Sequence, residues 1–389
     1  MKFVETERIR ALPPYLFLDI DRKKRAALEA GRNVIDFGMG DPDQPTHAFI
    51  IDAMNAALRK PANHRYPIGG GLAPFRRAIA EFVQRRYGVT VDPTREVLAL
   101  IGSKEGIGHL PLAVVNPGQT VLVPSPGYPV YRAGTIFAGG VPHVFDLLPE
   151  RDWKPDFSAI PSDVARRAVL MFLNYPNNPT GATADLSFLA EAVAFAREYD
   201  LLLAYDAAYN DLYLTDEPPP SVLQVPGARE VAIEFHSASK TFNMTGWRIG
   251  FALGNAEVLS ALLKIKSNLD TGVFGAIQEA TAAAYAGIDR PELHASRARY
   301  RSRATRMVAG LRACGFDVAP PKATFYVWPR VPRGYDSLRL CTKLLDEADI
   351  VCVPGIGFGP NCDAYVRFSL SVPDAQIDEA LARLRELKW

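Results

Sequence analysis

A chain of 389 residues exceeds the size at which single hydrophobic cores usually stop growing, so we expect two domains. Hydrophobic residues make up 48% and charged residues 22%, as in an ordinary globular enzyme, and the net charge of +1 provides no strong attraction to nucleic acid or to a membrane. The N-terminus lacks the apolar core of a secretory signal, and no apolar run approaches the roughly 20 residues that span a bilayer. We therefore expect a soluble, cytoplasmic protein.

The first part of the chain mixes turns and helices. Residues 1–45 contain a Pro-Pro turn, a short charged helix near residues 22–30 and the segment VIDFGMGDPD. From Leu72 onward apolar residues recur at helical spacing, and Gly88 is placed to end that helix.

Buried strands then alternate with helices. The apolar runs are VLALI (97–101), TVLVP (120–124), AVLMFL (168–173), LLLAY (201–205) and VAIEF (231–235). Strands that are apolar almost throughout, and separated by helices, indicate a mostly parallel sheet covered by helices on both faces. The predicted fold class is therefore α/β.

The pattern changes after about residue 285. An arginine-rich helix over residues 291–314 leads to ATFYVW, an amphipathic helix, two strand-like runs and a final helix. We predict a large domain over residues 46–284 and a smaller α+β domain formed by residues 1–45 and 285–389. The arginines of the helix are spread around it, which favours a solvated surface over a nucleic-acid stripe.

The four cysteines lie in the last quarter of the chain. They are Cys314, Cys341, Cys352 and Cys362, and they form no CxxC pair. We interpret them as free thiols in a reducing compartment.

The segment FHSASKTFNMTGWRIG (235–250) contains the strongest candidates for catalytic and ligand-binding residues. Lys240 lies between two apolar runs, where desolvation would lower its pKa and give a neutral amine that can attack an aldehyde. Ser237 and Arg248 are spaced to hold a phosphate beside it. A lysine, phosphate ligands and an aldehyde together suggest pyridoxal 5'-phosphate, although a lone Lys-Thr pair is usually a surface feature.

Other polar residues follow the ends of the predicted strands, where ligands bind in open parallel sheets. Ser103 and Lys104 begin a helix after VLALI. The backbone N–H groups of a helix start can bind a phosphate, although a turn of this kind is usually only a helix cap. Asn178 follows AVLMFL in a turn, and its amide can bond a phenolic oxygen. Asp206 ends LLLAY, with Tyr209 three residues later; this carboxylate can pair with a protonated pyridine nitrogen or simply cap a helix.

Three further residues are candidates with ordinary alternatives. Tyr128, in PSPGYPVY, can stack on a planar ring, although such tyrosines more often only pack. Tyr66 lies in the glycine-rich loop HRYPIGGG. Arg367, in AYVRFSLSV, can bind a carboxylate through two parallel bonds, although an arginine on a strand is usually solvated.

Several other enzyme classes find no support. HRYPIGGG lacks the strand–GxGxxG–helix context of a dinucleotide fold. There is no HExxH motif, no clustered His/Cys spacing and no GxSxG motif, so we expect neither a metal site nor a serine nucleophile.

The ordered set of motifs resembles the fold-type I, PLP-dependent aminotransferases of class I and II. The motifs are GSKEG, PGYPVY, NYPNNPTG, DAAY, SASKTFNMTGWRIG and an arginine near the C-terminus, and the resemblance covers nearly the whole chain. Within the class, LPPYLF, GMGDPDQPT and PKATFYVW are most similar to the LL-diaminopimelate aminotransferases and their alanine-aminotransferase relatives. Ala238 and His47 are departures, where a larger apolar residue and a proline are common.

This resemblance implies a role for each candidate residue. Lys240 would bind the cofactor covalently, Asp206 would pair with its ring nitrogen, and Tyr209 and Asn178 would bond its ring hydroxyl. Ser103, Lys104 (through its backbone), Ser237 and Arg248 would hold the phosphate, with Tyr66 reaching the phosphate of the neighbouring subunit in a homodimer. Tyr128 would stack on the ring, Arg367 would bind the substrate α-carboxylate, Gly40 would contact the substrate through its backbone, and Tyr15 would lie near the entrance.

The implied activity is transamination between an amino acid and a 2-oxo acid, with LL-diaminopimelate and 2-oxoglutarate as the expected pair and lysine biosynthesis as the expected role. The alternatives are an alanine, aspartate or aromatic aminotransferase, or a PLP-dependent lyase. A regulator built on this fold would carry a DNA-binding domain, for which we expect no room.

Overall fold

The computed structural model describes residues 4–12 and 16–389. The helices are α1 (Glu7–Arg10), α2 (Leu16–Glu29), α3 (Ala48–Leu58), α4 (Ala73–Tyr87), α5 (Ser103–Val114), α6 (Val130–Phe137), α7 (Ser162–Arg167), α8 (Leu186–Glu198), α9 (Ala228–Val231), α10 (Ala238–Thr241), α11 (Ala256–Leu269), α12 (Gly275–Ala286), α13 (Pro291–Ala313), α14 (Ser337–Ala348) and α15 (Asp374–Glu386). The strands are β1 (Ile35–Asp36), β2 (Val97–Leu100), β3 (Thr120–Ser125), β4 (Val141–Leu148), β5 (Lys154–Pro155), β6 (Ala168–Asn174), β7 (Leu202–Asp206), β8 (Ala232–Ser237), β9 (Gly250–Gly254), β10 (Tyr326–Val327), β11 (Ile350–Val351), β12 (Val353–Pro354) and β13 (Val366–Ser369).

An eight-stranded sheet organises the larger part of the molecule. Its strand order is β2-β9-β8-β7-β6-β3-β4-β5. The strands from β4 through β3, β6 and β7 to β8 are parallel, whereas β9, β2 and β5 pair in the antiparallel sense. The mostly parallel α/β sheet predicted from the sequence is confirmed.

Helices cover both faces of this sheet because its strands are apolar on both sides. Along β6, Leu170 and Phe172 pack in one core with residues of α5, α6 and α11. Met171 and Leu173 point into a second core with residues of α4, α8 and α12. This alternation is the period of two that a strand imposes on its side chains.

Two smaller sheets form beside the large one. β1 pairs with β11 in parallel, and β10, β13 and β12 form an antiparallel sheet. Helices α13, α14 and α15 pack on them around a core that also contains Tyr209 and Leu212. The division at residues 45 and 284 stays a prediction.

Strand register brings polar side chains to one edge of the large sheet. Asn174, the last residue of β6, pairs with Asp206, the last residue of β7, and Asp206 pairs in turn with Phe235 of β8. β8 ends at Ser237, and α10, which carries Lys240, follows directly. The carboxyl ends of the central strands therefore lie side by side, as expected for an open α/β sheet.

The end of α4 agrees with the sequence prediction, whereas the surface of α13 differs from it. Gly88 ends α4 in the left-handed conformation, with φ 68°, as its position after the helix predicts. The arginines of α13, however, are not all solvated: Arg297 and Arg303 are buried. Arg303 donates to Asp43 and Asp374 and so fastens the segment before α3 to α13 and α15.

The cysteines are free thiols, as predicted. Cys341 and Cys352 approach each other, with their Sγ atoms 3.3 Å apart. None of the helices over residues 4–12 and 16–389 has the length and apolar character needed to cross a membrane.

Candidate active site

A cavity of about 310 Å³ lies at the carboxyl edge of the large sheet, against β10 and β13. The residues that line it come from widely separated parts of the chain: Gly38, Met39, Gly40, Ser103, Lys104, Tyr128, Pro129, Val130, Asn174, Asn178, Asp206, Ala208, Tyr209, Ser237, Ser239, Lys240, Thr245, Arg248, Tyr326 and Arg367. Almost all the candidate residues of the sequence analysis are thus brought together.

Lys240 reaches into this cavity from the short helix α10. Its Nζ donates to the backbone oxygen of Gly40 over 2.6 Å. Burial lowers the pKa of Lys240 to about 8, with Arg367 and Arg248 lowering it further and Asp41 opposing them. A buried amine with a pKa near 8 is partly neutral at physiological pH and can act as a nucleophile or base.

Asp206 lies at the end of β7 and is buried. Its Oδ2 accepts a hydrogen bond from the Tyr131 hydroxyl at 2.7 Å, and its Oδ1 accepts one from the Ala208 backbone N–H at 3.2 Å. Burial raises the pKa of Asp206 to about 6, against the lowering effect of these two bonds. No cationic side chain of the described residues forms an ion pair with it. Because a buried carboxylate without a cation is unfavourable, a cationic ligand bound here would be stabilised by Asp206.

One end of the cavity suits an anion. Helix α5 begins at Ser103 and presents its unbonded backbone N–H groups there. The Arg248 guanidinium packs against Gly102, where any side chain would collide with it, and donates to Ser239 Oγ and to the backbone oxygen of Thr245. Within the described chain Arg248 has no carboxylate partner, so its charge is available to a phosphate.

Arg367 lines the same cavity from β13, and only 4% of its surface is exposed. Its Nη1 donates to Asn178 Oδ1 at 3.0 Å and its Nη2 to the Gly38 backbone oxygen at 2.8 Å. The guanidinium carbon lies 4.2 Å from the centre of the Tyr326 ring, and Nε has no hydrogen-bond partner. A buried guanidinium held by neutral groups retains a full charge for a substrate carboxylate.

Tyr209 and Asn178 also line the cavity. The hydroxyls of Tyr209 and Tyr326 are 3.0 Å apart. Burial raises the pKa of Tyr209 well above its usual value, so it remains a hydrogen-bond donor. Because Asn178 Oδ1 accepts from Arg367, its Nδ2 is the group left to donate into the cavity.

Tyr128 and Lys104 form one side of the opening. The ammonium of Lys104 lies 5.6 Å from the centre of the Tyr128 ring. The Lys104 side chain is exposed and makes no ion pair with the described residues. It is therefore a cation at the mouth of the cavity that a second negative group of a substrate can meet.

Among the described candidates, only Tyr66 does not line the cavity. Tyr66 projects from the surface of the protomer, 81% exposed, with Ile68 beside it in sequence at 88%. Tyr15 lies outside the described residues.

Sequence reasoning missed four residues that line or support the cavity: Asn174, Tyr131, Ser239 and Tyr326. All four lie within motifs recognised from the sequence: Asn174 in NYPNNPTG, Ser239 in SASKTFNMTGWRIG, Tyr131 in PGYPVY and Tyr326 in PKATFYVW. Asn174 and Ser239 therefore had a usable signal, whereas a tyrosine beside apolar residues is usually a packing residue.

The family model for aminotransferases of class I and II matches residues 32–384. The chain therefore belongs to the class I and II aminotransferase family, an enzyme family that transfers amino groups. The fold-type I architecture expected from the sequence is confirmed by the same match and by the solved structures that resemble it.

Curated relatives align over essentially the full length. The chain is 49% identical over 386 residues to the LL-diaminopimelate aminotransferase of Aquifex aeolicus, covering 99% of this chain and 100% of the relative. It is 50% identical over 383 residues to the LL-diaminopimelate aminotransferase of Moorella thermoacetica, with 98% of each chain covered. Among solved structures, substrate-bound BacF from Bacillus subtilis superposes with a TM-score of 0.95 at 36% identity, covering 99% of this chain and 98% of that one.

Proposed function

We propose that this enzyme transfers the amino group of LL-diaminopimelate to 2-oxoglutarate, with pyridoxal 5'-phosphate as its cofactor. The observation that carries the substrate proposal is the exposed Lys104 ammonium at the mouth of the cavity that the buried Arg367 also lines. Two cations in one cavity suit an amino acid with two carboxylates. The similarity to enzymes named for LL-diaminopimelate supports the same choice.

The groups present in the cavity fit the cofactor. Asp206 offers a buried carboxylate without a cationic partner to a pyridinium nitrogen. The start of α5 and Arg248 offer positive charge to a phosphate, and Lys240 offers a partly neutral amine to an aldehyde. Tyr209 and Asn178 offer donors to a phenolic oxygen.

The proposed roles of the remaining phosphate and ring contacts follow the same logic. Ser103, Ser237 and the Lys104 backbone N–H would complete the phosphate site, and Tyr128 would cover the ring. When bound, PLP supplies an aldehyde for the substrate amine and a ring that withdraws electrons from the substrate Cα.

The chain itself would orient the substrate and move its proton. Arg367 would bind the α-carboxylate and fix the position of Cα, with the Gly40 backbone beside it. The Lys240 Nζ would take the proton from Cα and release it again, a task for which a pKa near 8 is well matched to neutral pH. Lys104 would meet the distal carboxylate.

The proposal includes a cytoplasmic homodimer with shared active sites. The side chains of Tyr66 and Ile68 are exposed on one protomer, and a second copy of the chain would cover them. Tyr66 would then reach the partner's phosphate site.

The free thiols of Cys341 and Cys352, close yet unbonded, suit a reducing compartment. By the family resemblance, Tyr15 would lie near the entrance and complete the proposed substrate contacts.

The experiment is a steady-state assay with LL-diaminopimelate or alanine as donor and 2-oxoglutarate as acceptor. We expect transfer from LL-diaminopimelate, and a fall of about three- to fivefold in kcat/KM for that donor on Lys104→Met, since an ion pair of an exposed side chain contributes at most about 1 kcal/mol. Alanine has no distal carboxylate, so its kcat/KM should change less than about twofold. The matched control is Lys388→Met at an exposed position near the C-terminus.

Two results would contradict the proposal. Background activity with LL-diaminopimelate, together with good turnover of alanine or an aromatic donor, would reject the substrate. Release of a product without conversion of the cofactor to its amine form would indicate a lyase.

A further inference from the structure

We propose that Tyr326 is a positioning residue with two separable functions: its ring holds the Arg367 guanidinium in place, and its hydroxyl orients the Tyr209 hydroxyl toward the cofactor. This inference rests on the proposed function for the identity of the two ligands. Tyr326 is the first residue of β10 and is 2% exposed, so it is fixed in the wall of the cavity.

The first function follows from the surroundings of Arg367. Asn178 and Gly38 accept from its two terminal nitrogens, and no carboxylate of the described residues pairs with it. The face of the Tyr326 ring, 4.2 Å from the guanidinium carbon, and the Phe358 ring at 5.1 Å are the other contacts that steady the charge. An aromatic face attracts a cation without neutralising it, so Arg367 stays available for a carboxylate.

The second function follows from the paired hydroxyls. Tyr209 and Tyr326 are 3.0 Å apart, and a hydroxyl can donate only one proton. If Tyr209 donates to the phenolic oxygen of the cofactor, Tyr326 must donate to Tyr209. This second bond makes Tyr209 a stronger donor, because hydrogen bonds in a chain polarise one another.

The backbone on both sides of Tyr326 restricts the position of its side chain. Thr324, two residues earlier, adopts φ 72°, a conformation that a β-branched residue rarely takes. Its N–H donates to the Leu212 backbone oxygen and its Oγ1 accepts from the Tyr326 N–H. On the other side, any side chain at Gly40 would overlap the Tyr326 hydroxyl. Strain that the surroundings maintain is typical of positions where geometry matters for function.

Two substitutions separate the ring from the hydroxyl. Tyr326→Phe keeps the ring, so KM for the amino donor should stay within about threefold of wild type. The pH midpoint of the bound cofactor's visible absorbance should rise by about 0.5–1 unit, because the phenolic oxygen loses part of its stabilisation. Tyr326→Leu removes the ring as well, and KM should rise about 5- to 30-fold.

The matched control is Tyr365→Phe, which removes a hydroxyl next to β13 from a ring that stacks on Trp328 rather than on Arg367. It should change neither KM nor the pH midpoint. A Tyr326→Leu enzyme with the KM of wild type would overturn the ring function. A Tyr326→Phe enzyme with an unchanged pH midpoint would overturn the hydroxyl function, and this readout stands even if the leucine variant does not fold.

Failure of the proposed function is distinguishable from failure of this inference. If wild type binds PLP but turns over neither donor, the proposed reaction is wrong, while the pH titration of the absorbance still tests the hydroxyl. If wild type is active and neither variant behaves as expected, Tyr326 is only a packing residue.

Discussion

Two buried ionisable side chains of the cavity have pKa values displaced in opposite directions by the same cause. Burial lowers the pKa of Lys240 to about 8 and raises that of Asp206 to about 6, because a low-polarity environment disfavours the charged form of each. Both pKa values therefore lie closer to pH 7 than the usual values of a lysine and an aspartate do. Near physiological pH, therefore, part of the Lys240 amine is neutral and part of the Asp206 carboxyl is protonated.

The displaced pKa of Lys240 predicts how the cofactor-free protein reacts with amine reagents. A lowered pKa means that the neutral, reactive amine accumulates as pH rises from 7 to 9 rather than near pH 10.5. Trace acetylation of Lys240, followed by peptide mass spectrometry, should show a midpoint near pH 8. A midpoint above pH 10 would show that the amine is not desolvated, and a Lys240→Ala sample identifies the peptide.

The Asp206 carboxylate should matter far more for the reaction than for cofactor retention. If it keeps the ring nitrogen protonated, Asp206→Ala should lower kcat by about three orders of magnitude, or about 4 kcal/mol in activation free energy. The measurement is single-turnover kinetics on protein whose cofactor content is checked by absorbance, with exposed Asp163→Ala as the control. A loss below tenfold would mean that Asp206 serves only its bonds to Tyr131 and Ala208.

Which of these residues the sequence could reveal depended on contrast with their neighbours. Asp206 and Lys240 follow apolar runs, and a charge in that position requires an explanation. Tyr326 and Tyr131 offer no such contrast, because a tyrosine beside apolar residues is normally interpreted as a packing residue of the hydrophobic core. Their function lies in the hydroxyl partner, which belongs to a distant part of the chain.

At the scale of elements, continuous apolar runs predicted the central strands to within one or two residues. β4 escaped this criterion because its first four side chains are exposed or half-buried and only Phe145 and Leu147 are fully buried. The run VPHVFDLL therefore carries polar residues that a doubly covered strand would not tolerate. Edge position does not explain the difference, because β2 is the outermost strand at the other side of the sheet and is buried throughout.

A charge cluster around a buried lysine joins helices α5 and α11 close to the anion end of the cavity. Lys266 of α11 is 3% exposed at its side chain and pairs with Glu105 of α5 at 2.7 Å and with Asp270 at 3.1 Å. Glu105 also accepts from the Ile101 backbone N–H and from His109. Glu105, His109 and Asp270 approach one another as metal ligands do, but the lysine already supplies positive charge there. The cluster therefore fixes the turn that starts α5.

Removing the lysine should weaken both the fold and the anion site. Lys266→Met leaves two half-buried carboxylates without their cation, which should lower the free energy of unfolding by about 1–3 kcal/mol. The dissociation constant for PLP should rise as the start of α5 loosens. Urea denaturation and a cofactor titration measure the two effects, with Lys264→Met, exposed on the same helix, as the control. Equal denaturation midpoints for the two variants would refute the role of the cluster.

At the scale of the whole molecule, the exposed loop of Tyr66 and Ile68 predicts that the active unit is a dimer. Sedimentation at assay concentration should show two chains per particle. Mixing Lys240→Ala with Tyr66→Ala protein, after dissociation and reassociation, should restore activity well above the sum of the two, because hybrid dimers contain one site with both natural residues. Activity equal to that sum, or an active monomer, would rule out shared sites.

The pairing of β1 with β11 has a consequence for how the protein is made. Gly38, which follows β1, bonds Arg367, 329 residues further along the chain. At a synthesis rate of about 5–20 residues per second, a ribosome needs about 15 to 65 s between the two. During that time the central strands can assemble, but β1 lacks its partner strand β11 and Gly38 lacks Arg367. A nascent or prematurely terminated chain thus lacks its carboxylate-binding site, and only a finished chain can begin to consume amino acids.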